Sequence, residues 1–174
     1  AVVLNPVGII GPYDFEPSPM GELLLQLAHR ELPGMVNAGF HWVDVRDVVA
    51  AAIAAETRGQ SGERYILHGD YARLPAIAKR VALHTGQRAP RLNTPMWVAR
   101  LAAPMAKAWS QWKGVPSPYS KESLQILDCH QTLQTRKAIE HLGFTARPIN
   151  DTLRETLSWF AENDRLHPPA AFLG

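Results

Sequence analysis

Apolar and polar positions in this 174-residue chain follow two alternating periods. The opening run, residues 1–12, is a nearly continuous series of Val, Leu and Ile that ends in Gly8, Gly11 and Pro12. That is the pattern of a buried β-strand running into a glycine- and proline-rich loop. A buried strand needs neighbours for its N–H and C=O groups. Beginning at Ala1, with no strand before it and no initiator Met, it reads as an interior strand of a larger body.

Beyond a loop over residues 13–19 the period lengthens to three and four. Leu23, Leu24 and Leu27 predict a helix over 20–30 with one buried face, opened by Ser18 as cap and Pro19 as first helical residue. Residues 32–42 hold two turns around a short apolar run, predicting a small hairpin or a pair of short strands. Asp44 then caps a helix rich in alanine through residue 55, with Asp47 as capping-box partner and residues 59–62 as its end. Residues 63–67 alternate as a strand, and 74–85 form a helix stopped by Gly86.

A proline-bearing linker over 86–95 leads to a helix over 95–112, kinked at Pro104, then to helices over 121–128 and 135–142, the latter closed by Gly143. A final helix over 151–163, capped by Asn150, turns Leu153, Thr156, Leu157 and Phe160 inward. Many helices with few short strands give a mixed α/β chain. We expect residues 1–92 to hold the end of a sheet with site segments, 93–164 a helical part, and 165–174 a loose tail.

Composition is that of a folded globular chain, 46% apolar and 20% charged, which excludes disorder. Of 18 basic residues 13 are Arg, scattered along the chain, so a net charge of +2 does not indicate nucleic acid. The single Cys129 excludes an intrachain disulfide and fits a reducing cytoplasm. No apolar run approaches the ~20 residues that cross a bilayer. The seven His have no metal-ligand spacing, and Ser61, in Gly-Gln-Ser-Gly-Glu, misses the nucleophile-elbow pattern by one residue.

Four segments, NPVGIIGP, GFHWVDVRDVVAAAIAA, GERYILHGD and RPINDTLRETLSWF, occur in this order. Together they resemble the carboxyl-terminal, substrate-side half of an extended short-chain dehydrogenase/reductase, the NAD(P)-dependent epimerase/dehydratase and dihydroflavonol-reductase-like group. The likeness runs from residue 1 to about 164 and implies a Rossmann-like fold and a nicotinamide cofactor, NAD or NADP. Whole members carry a Gly-x-x-Gly-x-x-Gly phosphate loop and a Tyr-x-x-x-Lys pair. Here Gly8 and Gly11 are followed at the third position by Asp14, a carboxylate that would repel a pyrophosphate. Four residues after Tyr13, Tyr65, Tyr71 and Tyr119 stand Pro17, Gly69, Pro75 and Ser123, none of them Lys. The chain alone is therefore expected to be inactive, with no catalytic residue of its own, and to act with a missing amino-terminal half or to self-associate through its first strand.

The resemblance places Pro6, Val7 and Gly8 beside the nicotinamide and points Asn5 into a pocket for a small-molecule substrate. Tyr13 and Phe15, on the loop past Gly11, either overhang that pocket or cover the core edge. Phe40, His41 and Trp42 line the opposite wall by the same analogy, and His41 is the best titratable candidate because imidazole changes charge near neutrality. Asp44 and Asp47 fit a helix amino terminus better than an acid/base pair. The helix over 95–112 carries Trp97, Trp109 and Trp112 with Arg100, Lys107 and Lys113 nearby. It offers an alternative of another class, a non-catalytic module acting on a membrane surface or a protein partner, although Pro104 and the alanines dilute its apolar face.

Overall fold

The computed structural model describes residues 1–32, 34–90, 92–94 and 133–166, and in them the opening apolar run makes two strands. β1 (Val3–Pro6) pairs in parallel with β5 (Arg64–Leu67), and β2 (Gly8–Ile10) pairs in parallel with β4 (Gly39–Asp44). The chain changes partners at Val7, whose N–H still donates to Leu67 O at 3.2 Å. Expected to be buried, the run is half open: Val3 is 45% exposed, and Ile10 alone of the first ten residues is buried. Among the described residues β1 has a partner on one edge only. Val3 N–H donates to Glu63 O at 3.0 Å, so by strand alternation Leu4 and Pro6 face the other edge. Pro6, with no N–H, is tolerated there.

Of the two arrangements expected over 32–42, the pair of short strands forms and the hairpin does not. β3 (Gly34–Val36) instead pairs in parallel with β7 (Leu92–Thr94), inside the stretch read as linker. β4 lies between β2 and an antiparallel strand, β6 (Tyr71–Arg73). β6 and β7 have three residues each, and such strands are set by their partners more than by their own apolar pattern.

Helix boundaries follow local chemistry closely. α1 (Pro19–Ala28) starts as read, with Ser18 Oγ accepting from Gly21 N. α2 (Val45–Arg58) is capped by Asp44. α3 (Leu74–Thr85) and α4 (Arg136–Leu142) end at left-handed Gly86 and Gly143, with φ of 65° and 69°. α5 (Ile149–Glu162) begins earlier than predicted, and Asn150 is not its cap. The Asp70 carboxylate accepts from Ile149 N at 3.0 Å, supplying from a distant loop what a neighbouring side chain usually gives. The helices expected over 95–112 and 121–128 lie outside the described residues.

Two apolar clusters sit on either side of β4. Trp42 joins Leu24, Leu27, Ile77, Val81, Leu153, Leu157 and Phe160 in one, between α1, α3 and α5. Val43 joins Ala51, Ala55, Tyr65, Leu67, Ala138, Leu142 and Phe144 in the other. Adjacent strand residues face opposite ways, so β4 is the shared wall of both cores. Thr152 and Thr156 are buried with them, and Thr156 Oγ1 donates to Thr152 O at 2.6 Å, which satisfies a hydroxyl that would otherwise lack a partner.

Candidate functional site

The β2–β4 register aligns Gly8 with Trp42, Ile9 with Val43 and Ile10 with Asp44. It thus brings the strand end Pro6–Gly8 beside Phe40 and His41, two stretches some thirty residues apart in sequence. Phe40 lies against Gly8 so closely that a Cβ at Gly8 would stand 2.6 Å from its ring. Any side chain at position 8 would have to displace that ring. Phe40 also packs on Trp42, ring centroids 4.3 Å apart. Trp42 itself is 1% exposed and donates its indole N–H to Ala72 O at 3.2 Å, so it backs the wall from inside the core.

His41 points the other way. Its Nδ1 lies 3.3 Å from Gly69 O, placed for an Nδ1–H to donate to that carbonyl. Its ring is 4.3 Å from that of His68 and 5.4 Å from that of Tyr71. His68 spans two carbonyls, with Nδ1 3.0 Å from Gly69 O and Nε2 3.1 Å from Leu133 O. Sequence reading missed His68, because nothing local announces that the end of β5 returns to His41.

Asn5 is exposed on β1, aligned with Ile66 of β5. Tyr13 and Phe15 lie on a loop where both rings meet Trp159 of α5 edge-on, with centroids 6.3 and 5.1 Å away. Tyr13 has a left-handed backbone, φ 72°, strained for so bulky a residue. Asp14 holds the loop by accepting from Ser18 N at 3.0 Å and Ser18 Oγ at 2.9 Å, and a side chain on Gly21 would collide with its carboxylate.

The charged groups near β4 divide their work. Asp44 caps α2, its Oδ1 accepting from Arg46 N at 2.8 Å, and pairs with the Arg46 guanidinium at 2.7 Å. Burial pushes the Asp44 carboxyl up, but hydrogen bonds from the side chain and backbone of Arg46 and from Thr152 outweigh it and hold the group below its usual range. Asp47 is not the predicted capping-box partner. It turns to Arg147, accepting from its backbone N at 2.9 Å and its Nε at 2.8 Å. Arg46 reaches on to Glu155 of α5. Between these groups lies a cavity of about 10 Å³ lined by Trp42, Asp44, Asp70, Arg147 and Thr152, space for one water and far too small for a substrate. The carboxylates thus serve to join α2, α5 and β4.

Tested against a nicotinamide cofactor, the strand end fits one part of the group. Pro6 and Val7 are half-buried and apolar, and the bare side of Gly8 is covered by the Phe40 ring. Val7 N–H is already committed to Leu67 O, and the Gly8–Gly11–Asp14 stretch makes no phosphate cradle. Among the described residues no group of three or more His, Cys, Asp or Glu could hold a metal, and no helix is long and apolar enough to cross a membrane.

No protein-family model matches the chain. A putative dihydroflavonol 4-reductase of Synechocystis sp. is 33% identical over 172 residues, covering 91% of this chain and 48% of that protein. Sterol demethylase protein B of Methylococcus capsulatus is 28% identical over 164 residues, covering 92% and 49%. Among solved structures, a nucleoside-diphosphate-sugar epimerase from Pseudomonas aeruginosa superposes with a TM-score of 0.76 at 26% identity, over 95% of this chain and 49% of that one. A Bordetella bronchiseptica enzyme in complex with NAD+ shares the fold, TM-score 0.61 at 18% identity, over 93% and 46%. The chain spans about half the length of the curated relatives it matches. With four family segments in order and a fold shared with these proteins, it belongs to the extended short-chain dehydrogenase/reductases, with their Rossmann-like α/β architecture.

Proposed function

We propose that this chain is the substrate-side portion of an NAD(P)-dependent oxidoreductase or epimerase acting at a carbinol or ketone carbon. The cofactor supplies or accepts the hydride. Pro6, Val7 and Gly8 seat the nicotinamide ring, Asn5 offers a polar contact to the substrate, Phe40 with Trp42 behind it gives an apolar wall, and His41 stands on the other face of β4 beside His68 and Tyr71. Tyr13 and Phe15 bound the outer side. Residues 1–92 carry the sheet end and these segments and 93–164 complete the substrate side; Arg165 and Leu166, expected to begin a loose tail, are instead held by the Phe15 carbonyl and the core. Phosphate binding and proton transfer require a Gly-rich loop and a Tyr/Lys pair that this sequence does not contain, so the 174 residues alone turn nothing over.

The observation that supports this reading most is the parallel β2–β4 register, which puts Gly8 under Phe40 and beside the strand bearing His41. In open α/β sheets ligands gather at the carboxyl ends of strands, and β2 leaves β1 at that end. The relatives named for a dihydroflavonol and a sterol favour a substrate built on fused, largely apolar rings.

Reduced nicotinamide mononucleotide, a cofactor fragment without the adenylate, tests the seat directly. At millimolar concentration it is expected to shift the Val7 and Gly8 amide and Phe40 ring NMR signals, with no hydride transfer to a ketone by the chain alone. Shifts confined to other surfaces, or turnover above a no-protein control, would refute the proposal.

A further inference from the structure

Three aromatic rings stand together at the surface, and only two of them belong to the loop after β2. Tyr13 is 64% exposed and Phe15 65%, and both rest edge-on against the half-buried Trp159, which arrives from α5 about 145 positions later in the chain. We propose that Trp159, Tyr13 and Phe15 form a platform that takes the apolar ring system of the substrate, with Trp159 as the residue that sets ring specificity. This rests on the reading of the chain as the substrate side of a reductase or epimerase, and adds to it the part of the ligand that is held and where.

The loop is held in place at some expense. Tyr13 keeps a left-handed backbone that bulky residues avoid, and such strain persists only where surrounding contacts over-determine it. Those contacts are present. Asp14 grips Ser18 through its backbone and hydroxyl, and Arg165 Nη2, just past α5, donates to Phe15 O at 2.9 Å. The loop is fastened to α1 at one end and to the segment after α5 at the other, with its rings turned outward. The two rings rest on Trp159 and remain about two-thirds exposed.

Size and chemistry choose the occupant. An aromatic side chain buries about 150–250 Å², so two rings exposed by about two-thirds offer roughly 200–330 Å². A stable protein interface needs about 800 Å² on each side. The platform is therefore too small for a folded partner and well matched to one face of a fused-ring molecule, which can lie against Trp159 while the Tyr13 and Phe15 rings border it. Among the described residues, the basic side chain bonded to this loop is Arg165, which donates to the Phe15 carbonyl.

The test uses the full 174-residue chain and two probes, dihydroquercetin as a dihydroflavonol and uridine diphosphate glucose as a nucleotide sugar, read by NMR. Dihydroquercetin is expected to shift the Trp159 indole and Phe15 ring signals, and uridine diphosphate glucose to leave them in place. Trp159→Ala and Phe15→Ala should each weaken dihydroquercetin binding about tenfold, whereas Leu83→Ala, a change at an exposed apolar residue of α3, should not alter it. Phe15 is exposed enough for its removal to leave the fold intact, so the outcome does not depend on Trp159→Ala being stable. The proposal is overturned if dihydroquercetin binds without moving these signals, if it does not bind, if the nucleotide sugar moves them equally, or if raising the chain's own concentration moves them, which would make a second copy the occupant. The Val7 and Gly8 response to the nicotinamide probe is independent of these variants, so a platform that fails leaves the cofactor seat to be judged by itself.

Discussion

Two titratable groups, Asp44 and His84, make the stability of the fold depend on pH in separate windows. Asp44 is held below its ordinary value, with burial opposing and the Arg46 and Thr152 hydrogen bonds prevailing. A carboxylate depressed in the folded state contributes stability above its unfolded pKa, about 3.9, and loses it as pH falls through the folded value. His84 is pushed down by burial, with the Arg154 charge adding to it. Its neutral form is the one the fold favours, so its contribution is complete above about 6.5 and declines below that. Urea midpoints measured across pH are expected to be level above about pH 7, to fall once below 6.5 and again below 4. His84→Gln should remove the first fall and leave the second. A chain that gained stability from pH 7 to pH 5 would contradict this account.

At the scale of elements, glycines fix how closely strands approach. A Cβ on Gly39 would stand 2.8 Å from Arg73 Cα and 2.9 Å from Ala72 O, backbone atoms of the paired β6, whereas at Gly8 the nearest atoms belong to the Phe40 ring. Backbone cannot step aside as a ring can. Gly39→Ala is therefore expected to cost about 1–3 kcal/mol, the range of an overpacked core, and Gly8→Ala less, with a displaced Phe40 signal as its mark. Thermal unfolding and aromatic NMR read the two effects, and equal losses would refute the distinction. The same contrast explains what was legible in the sequence. Ser18–Pro19, Gly86 and Gly143 act within one turn, so three helix ends could be read locally. β6, β7 and the Asp70 cap of α5 exist through partners far along the chain, and no local pattern carries them. Within the candidate site, Pro6–Gly8 and Phe40–His41 could be set together from the family resemblance. His68 and Trp159 could not, since each reaches the site through the tertiary fold.

For the whole molecule, cores on both faces of β4 are filled by residues from both ends of the described chain. Ile10 and Leu166 belong to one cluster, and α5 supplies Ile149, Leu153, Leu157 and Phe160 to it. Leu153→Ala, at a fully buried position, should cost about 2–5 kcal/mol, a large share of the ~5–15 kcal/mol that keeps a domain folded. Leu83→Ala, on the exposed side of α3, should change stability by no more than about 0.5 kcal/mol. Urea unfolding followed by both fluorescence and circular dichroism checks the pair, and a Leu153 variant as stable as the Leu83 variant would refute this division. The outer edge of β1 gives this economy a boundary. A strand sliding up to it would meet a rung with no donor at Pro6, so indiscriminate lateral sticking is penalised there, and only a companion whose facing carbonyl finds its proton elsewhere can zip along the full length.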